Sequence, residues 1–279
     1  MNTAKNRHQF AKIAAALLFA ASLFACTTVR VTGPSSPSGT RVEYYKAGTG
    51  IPTVVFESGL GNGRQTWDDV IPAVKRTNQV FAYNRPGYGL SRGVDGPRDP
   101  CTIAAEERHL LRTVGLMPPY ILVGHSSGGL YQYVYAKLYP QDVAGVVLVD
   151  PTYPGYMQTL QRAAPGLMLI PKAILSVPVL SNGTEKREFN NMDDCLAQID
   201  TNTPLHIPAR VLVQDKLGLL ASGELRAMYL RLSADWGRLA GVPVERISSG
   251  HFIQNEHPQS VISAIASVSS IARANPANQ

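Results

Sequence analysis

Short unbroken apolar runs alternate along the chain with longer stretches whose apolar residues recur every three or four positions. The runs are residues 53–57 (TVVFE), 79–83 (QVFAY), 120–123 (YILV), 144–149 (AGVVLV), 209–214 (ARVLVQ) and 242–247 (VPVERI). Residues 53–57, 120–123 and 144–149 read as strands buried in the sheet, and the other three runs as further strands of it. Residues 41–46 alternate apolar and polar positions, which suits a first edge strand. Helical spacing appears in Trp67, Val70, Ile71 and Val74, and in Ile103, Glu106, Leu110, Leu111 and Val114, which predict a helix over about 102–114. It returns in Leu130, Tyr131, Val134, Tyr135 and Leu138, then in Leu225, Met228, Leu232, Trp236 and Leu239 within 223–240. A last such stretch, with Val261, Ile262, Ile265 and Ile271, opens at His257-Pro258. Strand and helix in alternation predict an α/β fold with a doubly wound, mostly parallel sheet.

The pattern lapses over residues 152–207, where Pro and Met replace long apolar runs. This stretch reads as a mostly helical cap inserted over the strand ends. No internal repeat is visible. With 44% hydrophobic and 16% charged residues in 279, the chain has enough apolar side chains for a sizeable core and too few charges for global disorder. The net charge of +6 is scattered, without a basic stripe, so nucleic-acid binding has little support.

The N-terminus carries Lys5, Arg7 and Lys12 before an apolar run over 13–21 that is short for a bilayer span, the pattern of an export signal. Leu23-Phe24-Ala25-Cys26 resembles the lipobox of bacterial lipoproteins. The resemblance implies that residues 1–25 are a signal peptide and that Cys26 carries a lipid. It also implies a bacterial cell-envelope location, with the outer membrane or periplasmic face favoured because Thr27 is not Asp. Residues 26–40, rich in Gly, Pro, Ser and Thr, then read as a flexible tether to a domain over 41–279. Cys101 and Cys195 remain, able to pair in an oxidising compartment or to stand as two separate small core residues.

The densest chemistry lies in Gly124-His125-Ser126-Ser127-Gly128, a G-x-S-x-G pattern placed between an apolar run and a helical stretch. That context is what a nucleophile elbow requires: a sharp turn needs glycines where backbones crowd, and it lifts the serine oxygen off the sheet. Ser126 is the candidate nucleophile, and a serine hydroxyl needs a base to take its proton. His251, just past the last strand, is the candidate base. His257 sits at a helix start and His125 beside Ser126, where capping and packing are the simpler readings.

With these residues in place the chain resembles the α/β-hydrolase superfamily over about residues 41–272. ESGLGNG (57–63) looks like the oxyanion loop, with Ser58 where many members have His. NRPGYGLS (84–91) looks like the D-R-x-G-x-G-x-S loop, with Asn84 for Asp, and SSGHFIQNEHP like the histidine loop. The resemblance implies an oxyanion hole made by backbone N–H groups of Leu60 and Ser127. It also implies a triad acid between Ser126 and His251. Asp215, at the end of the 209–214 run, has the more usual place. Asp150 is favoured because the segment after Asp215 lacks the usual acid-bearing loop and because LVDPTYP resembles relatives with acid chemistry at the earlier position.

The reading is therefore a serine hydrolase that cleaves a small-molecule ester or related acyl bond through an acyl-enzyme, bound to membrane through its N-terminal lipid. A cofactor-free perhydrolase or haloperoxidase-type activity uses the same triad. A non-catalytic envelope binding protein on this fold is the alternative of a different class. Epoxide hydrolases and haloalkane dehalogenases of this fold carry Asp at the elbow, which Ser126 does not match. No metal-ligand spacing and no dinucleotide fingerprint occurs, so no cofactor or metal is expected. The oligomeric state is left open.

Overall fold

The computed structural model describes residues 30–31, 40–163, 183–218 and 223–274. Residues 1–25, Cys26 and most of the expected tether lie outside the described residues, as does part of the expected cap. Eight strands form one sheet: β1 (Arg30–Val31), β2 (Glu43–Ala47), β3 (Thr53–Glu57), β4 (Val80–Tyr83), β5 (Tyr120–His125), β6 (Val143–Val149), β7 (Ala209–Gln214) and β8 (Val244–Ile247). Their order is β1-β2-β4-β3-β5-β6-β7-β8. From β4 to β8 every pairing is parallel, while β2 runs antiparallel to β4 and to β1. The strand read as an edge is thus covered by two residues from the stretch read as a tether.

Residues of β3 to β6 are buried throughout, as their unbroken apolar runs require. Successive side chains of a strand point to opposite faces. Val55, Phe81 and Leu122 accordingly enter one core with helices α2 (Pro100–Thr113), α3 (Ser127–Leu138) and α6 (Gly223–Ala240). Val54, Phe56, Val80, Ala82, Ile121 and Val123 enter the other, beneath α1 (Ile71–Val74) and α8 (Pro258–Ala274).

Two helices depart from the sequence pattern for identifiable reasons. Trp67, Val70, Ile71 and Val74 are all buried, but a 3₁₀ turn at Arg64–Trp67 and the short α1 share them. Helix α2 begins two residues early because Asp99 caps it: its carboxylate accepts from the N–H groups of Cys101 and Thr102, both at 3.0 Å, and Pro100 needs no donor in the first turn.

The described part of the insertion contains α4 (Tyr156–Ala163) and α5 (Gly183–Asn190), with a 3₁₀ turn at Leu196–Gln198. A short helix, α7 (Ile253–Glu256), precedes α8. Cys101 and Cys195 form a disulfide that ties the insertion to the start of α2. Among the described residues no helix is long and apolar enough to cross a membrane.

The bridge closes a loop between positions 94 residues apart, which strongly restricts the unfolded chain. Replacing both cysteines by Ser should lower the unfolding free energy by about 2–5 kcal/mol. Urea unfolding of the parent and the double variant, both without reductant, reads this directly. Equal midpoints would mean that the bridge contributes nothing.

Candidate active site

Strand β5 ends at His125, and the chain turns at once into α3. Ser126 holds the turn with φ 55° and ψ −124°, a backbone region that costs a side-chain-bearing residue strain. Glycines make the turn possible. A Cβ on Gly124 would lie 2.3 Å from the Gly128 carbonyl oxygen, and one on Gly128 would lie 2.4 Å from that of Glu57. The Ser126 N–H donates to Val149 O at 3.1 Å, and its carbonyl accepts from Thr152 N–H at 2.9 Å, so the elbow is bonded to the end of β6.

The residue just past β6 is Asp150, also at positive φ (44°) and 5% exposed. Its carboxylate collects bonds from three directions. Tyr229 of α6 donates to Oδ1 at 2.5 Å, the Gln214 N–H donates to Oδ1 at 3.2 Å, and the Gln214 side-chain amide donates to Oδ2 at 2.8 Å. The same Oδ2 lies 2.5 Å from Nδ1 of His251. Burial, with Asp150 beside it, pushes the Tyr229 phenol well up, so it stays a donor. Asp215 is exposed at the end of β7, and the structure gives it no bond to His251. Of the two acids the sequence offers, Asp150 is the one beside the histidine.

His251 follows β8 in a loop held by Glu256, whose carboxylate accepts from Gly250 N–H at 2.9 Å. His125 lies on its other side. The two rings are 4.6 Å apart, and His125 Nε2 is 3.0 Å from the His251 carbonyl oxygen. A carbonyl only accepts, so Nε2 carries the proton. Burial, and the neighbouring His251, push the His125 pKa down to about 3, so it stays neutral. The sequence reading of His125 as packing misses this bond, because adjacency to Ser126 says nothing about what faces the ring. His257 is exposed at the end of α7 and takes no part.

Ser126, Asp150 and His251 open on one cavity of about 310 Å³, walled by Tyr153, Tyr156 and Trp236 among others. Gly59 abuts the elbow, since a Cβ there would meet Ser126 Cβ at 3.0 Å. Leu60 follows it, and Ser127 opens α3. Of the two expected oxyanion donors, Ser127 is thus the next residue after Ser126, and Leu60 is the next residue after the Gly59 contact. Arg85 underlies this loop, donating to Ser58 O at 2.6 Å and Gly59 O at 3.2 Å. The sequence places Arg85 in a motif but gives no sign of its targets. Tyr229 and Gln214 carry no motif at all.

The depressed His125 pKa has a consequence for stability. Between about 6.5, the unfolded value, and about 3, the folded one, the unfolded chain binds the extra proton. Stability from this group is therefore complete above the unfolded value and lost as pH falls towards the folded one, by up to about 5 kcal/mol. His125→Phe cannot take up that proton, so the stability gap between parent and variant should narrow from pH 7 to pH 4. Urea unfolding across that range tests this, and parallel stability curves would contradict it.

Comparison with known proteins agrees with the architecture. The profile of the alpha/beta hydrolase family matches residues 54–264. YqjL, an uncharacterized protein of Bacillus subtilis, is 31% identical over 109 residues, which are 39% of this chain and 43% of that protein. The matches span less than half the length of the curated relatives compared. The epoxide hydrolase CorEH superposes with a TM-score of 0.62 at 20% identity, covering 86% of this chain and 98% of that one. A thermophilic esterase from Thermogutta terrifontis superposes with a TM-score of 0.60 at 20% identity, covering 86% of this chain and 96% of that one. At such identities the superpositions speak for the fold, while the profile spans the elbow, the Asp150 turn and the histidine loop. By fold and by sequence, the chain belongs to the alpha/beta hydrolase family.

Proposed function

We propose that this hydrolase is a serine esterase acting on carboxylic esters or related acyl compounds, with Ser126 as nucleophile, His251 as base and Asp150 as acid. The observation that carries this reading is the 2.5 Å contact between His251 Nδ1 and a buried Asp150 at the cavity that Ser126 also lines. Bonded at Nδ1, the imidazole presents Nε2 as its free basic position. Ser126 Oγ attacks the acyl carbon and its proton passes to His251. The imidazolium, stabilised by Asp150, returns that proton to the leaving alkoxide as the ester C–O bond breaks. Water repeats the sequence on the acyl-enzyme, releasing the carboxylic acid and restoring Ser126. Leu60 and Ser127 N–H groups receive the negative charge that develops on the carbonyl oxygen. Epoxide hydrolase chemistry, named for several structural neighbours, is less favoured because Ser stands at the elbow.

The cavity lining contains no Lys, Arg or Glu among the described residues, and Tyr153, Tyr156, Tyr229 and Trp236 give it four aromatic walls beside its polar residues. An uncharged, compact acyl group suits it best. The Leu23-Phe24-Ala25-Cys26 stretch supports a lipid-anchored enzyme of the bacterial envelope. Mass spectrometry of the mature N-terminus should find diacylglyceryl-Cys26, and a chain beginning elsewhere would remove that part of the proposal.

The central test uses p-nitrophenyl esters of graded acyl length and a fluorophosphonate probe. Ser126→Ala should abolish both hydrolysis and labelling while remaining folded. Asp150→Asn should lose about 10⁴-fold in turnover by the precedent of other triads, whereas Asp215→Asn should stay near the parent. A folded Asp150→Asn with near-parent turnover would reverse the acid assignment. A parent that neither hydrolyses esters nor takes the label would leave a binding protein as the better reading.

A further inference from the structure

We propose that Glu188, brought into the core by the inserted helix α5, is a positioning residue for the oxyanion loop and acts through Arg85. The proposal rests on the esterase reading above, since it concerns the Leu60 donor of the same site. Arg85 is 2% exposed, yet its guanidinium is engaged on every side. Glu57 of β3 takes one arm at 2.5 Å. Glu188 takes a fork of two bonds, to Nε at 3.0 Å and to the second terminal nitrogen at 2.8 Å. The remaining donor capacity reaches two loop carbonyls, Ser58 O and Gly59 O.

The Gly59 carbonyl shares its peptide unit with the Leu60 N–H. In a planar trans peptide the C=O and N–H bonds point in opposite directions. Gripping Gly59 O from below therefore aims the Leu60 N–H away from Arg85. The unit cannot drift far, because Gly59 already sits against Ser126 Cβ and the His125 ring. What sets the aim of the donor is the place of the guanidinium, and that is set by the carboxylates at its other edge.

Glu57 and Glu188 differ in how they arrive. Glu57 ends a central strand, 28 residues from Arg85, and Tyr83 donates to it from the neighbouring strand. Glu188 comes from 103 residues away and is fully buried. It also accepts from Tyr88 at 2.7 Å and lies 3.7 Å from a terminal nitrogen of the buried Arg98. The Cys101–Cys195 disulfide joins the chain just beyond α5 to the main domain. A planar fork holds both ends of the guanidinium in one orientation, which a point contact would not do. The insertion thus acts beneath the elbow as well as above the cavity.

The experiment compares Glu188→Gln and Glu188→Asp with the parent on an ester that the parent hydrolyses in a Ser126-dependent way. Glu188→Gln keeps the side chain's shape and removes its charge, and Glu188→Asp keeps the charge on a shorter stem. Circular dichroism confirms folding. The readouts are kcat, KM and the inhibition constant of an alkyl boronic acid, whose tetrahedral adduct places an oxygen in the oxyanion hole. Glu188→Gln should lower kcat by about 10–100-fold, somewhat less than deleting an oxyanion donor outright. KM should stay within about threefold, boronate affinity should weaken in parallel with kcat, and Glu188→Asp should fall between the two.

A folded Glu188→Gln with parental kcat overturns the proposal. So does a loss confined to KM with boronate affinity unchanged, which would make Glu188 a support of the substrate roof alone. If Glu188→Gln does not fold, Glu188→Asp is judged by the same split. Failure of the esterase reading shows separately, as a parent without Ser126-dependent turnover, and the proposal then falls with its basis.

Discussion

The site depends on how closely the backbone passes itself where β5 becomes α3. Gly124, Gly128 and Gly129 bring this turn against two other segments and against itself. Gly128 packs on the Glu57 carbonyl at the end of β3, Gly129 on Pro151 just past β6, and Gly124 on the start of α3 itself. Any side chain at these points would separate the strand ends. Because they are pressed together, the loop after β3 runs along one flank of Ser126 and Asp150 leaves β6 along the other. A single steric constraint thus places Ser126, the loop over 58–60 and Asp150 relative to one another.

Asp150 needs more than placement. A buried carboxylate is costly unless its lone pairs are satisfied. Asp150 meets that condition with Tyr229, with two donors of Gln214, and with His251. Gln214 ends β7, close to where the sequence pattern alone would look for the acid. Here that strand end supplies donors to a carboxylate on the neighbouring strand instead. Asp215, one residue further, points to water, and nothing about its position would orient an imidazole.

Much of this is visible in the sequence where the signal is local. Residues 120–123 and the glycines after them announce a buried strand and a sharp turn within eleven positions. The preference for Asp150 over Asp215 also comes from local features, the missing acid-bearing loop after Asp215 and the resemblance of the LVDPTYP stretch to relatives with acid chemistry at that position. What is not legible depends on side chains meeting across long separations. His125 reads as packing because its partner carbonyl lies 126 residues away. Tyr229 is one apolar-looking position in a helix, and only the fold turns its hydroxyl to Asp150. Residues 67–74 look like one helix because the buried face is the same whether the backbone is continuous or broken by a 3₁₀ turn. The pairing of Cys101 with Cys195 is a question of distance, which composition cannot answer.

The buried ions beneath the elbow belong to the same class of long-range feature, and their energetics bear on their use. Glu57, Arg85, Glu188 and Arg98 are each at most 2% exposed. Ion pairs at this depth are weak devices for stability, because desolvation cancels most of the attraction, and apolar residues of equal volume often hold a fold as well or better. Burial indeed raises the Glu57 pKa against the pull of Arg85. An apolar cluster, however, has no means of gripping a carbonyl oxygen. Only a cation with several fixed donors can hold two acids and two loop carbonyls together, and only acids can hold that cation still. The network is better explained by the geometry it imposes on residues 58–60 than by the stability it adds.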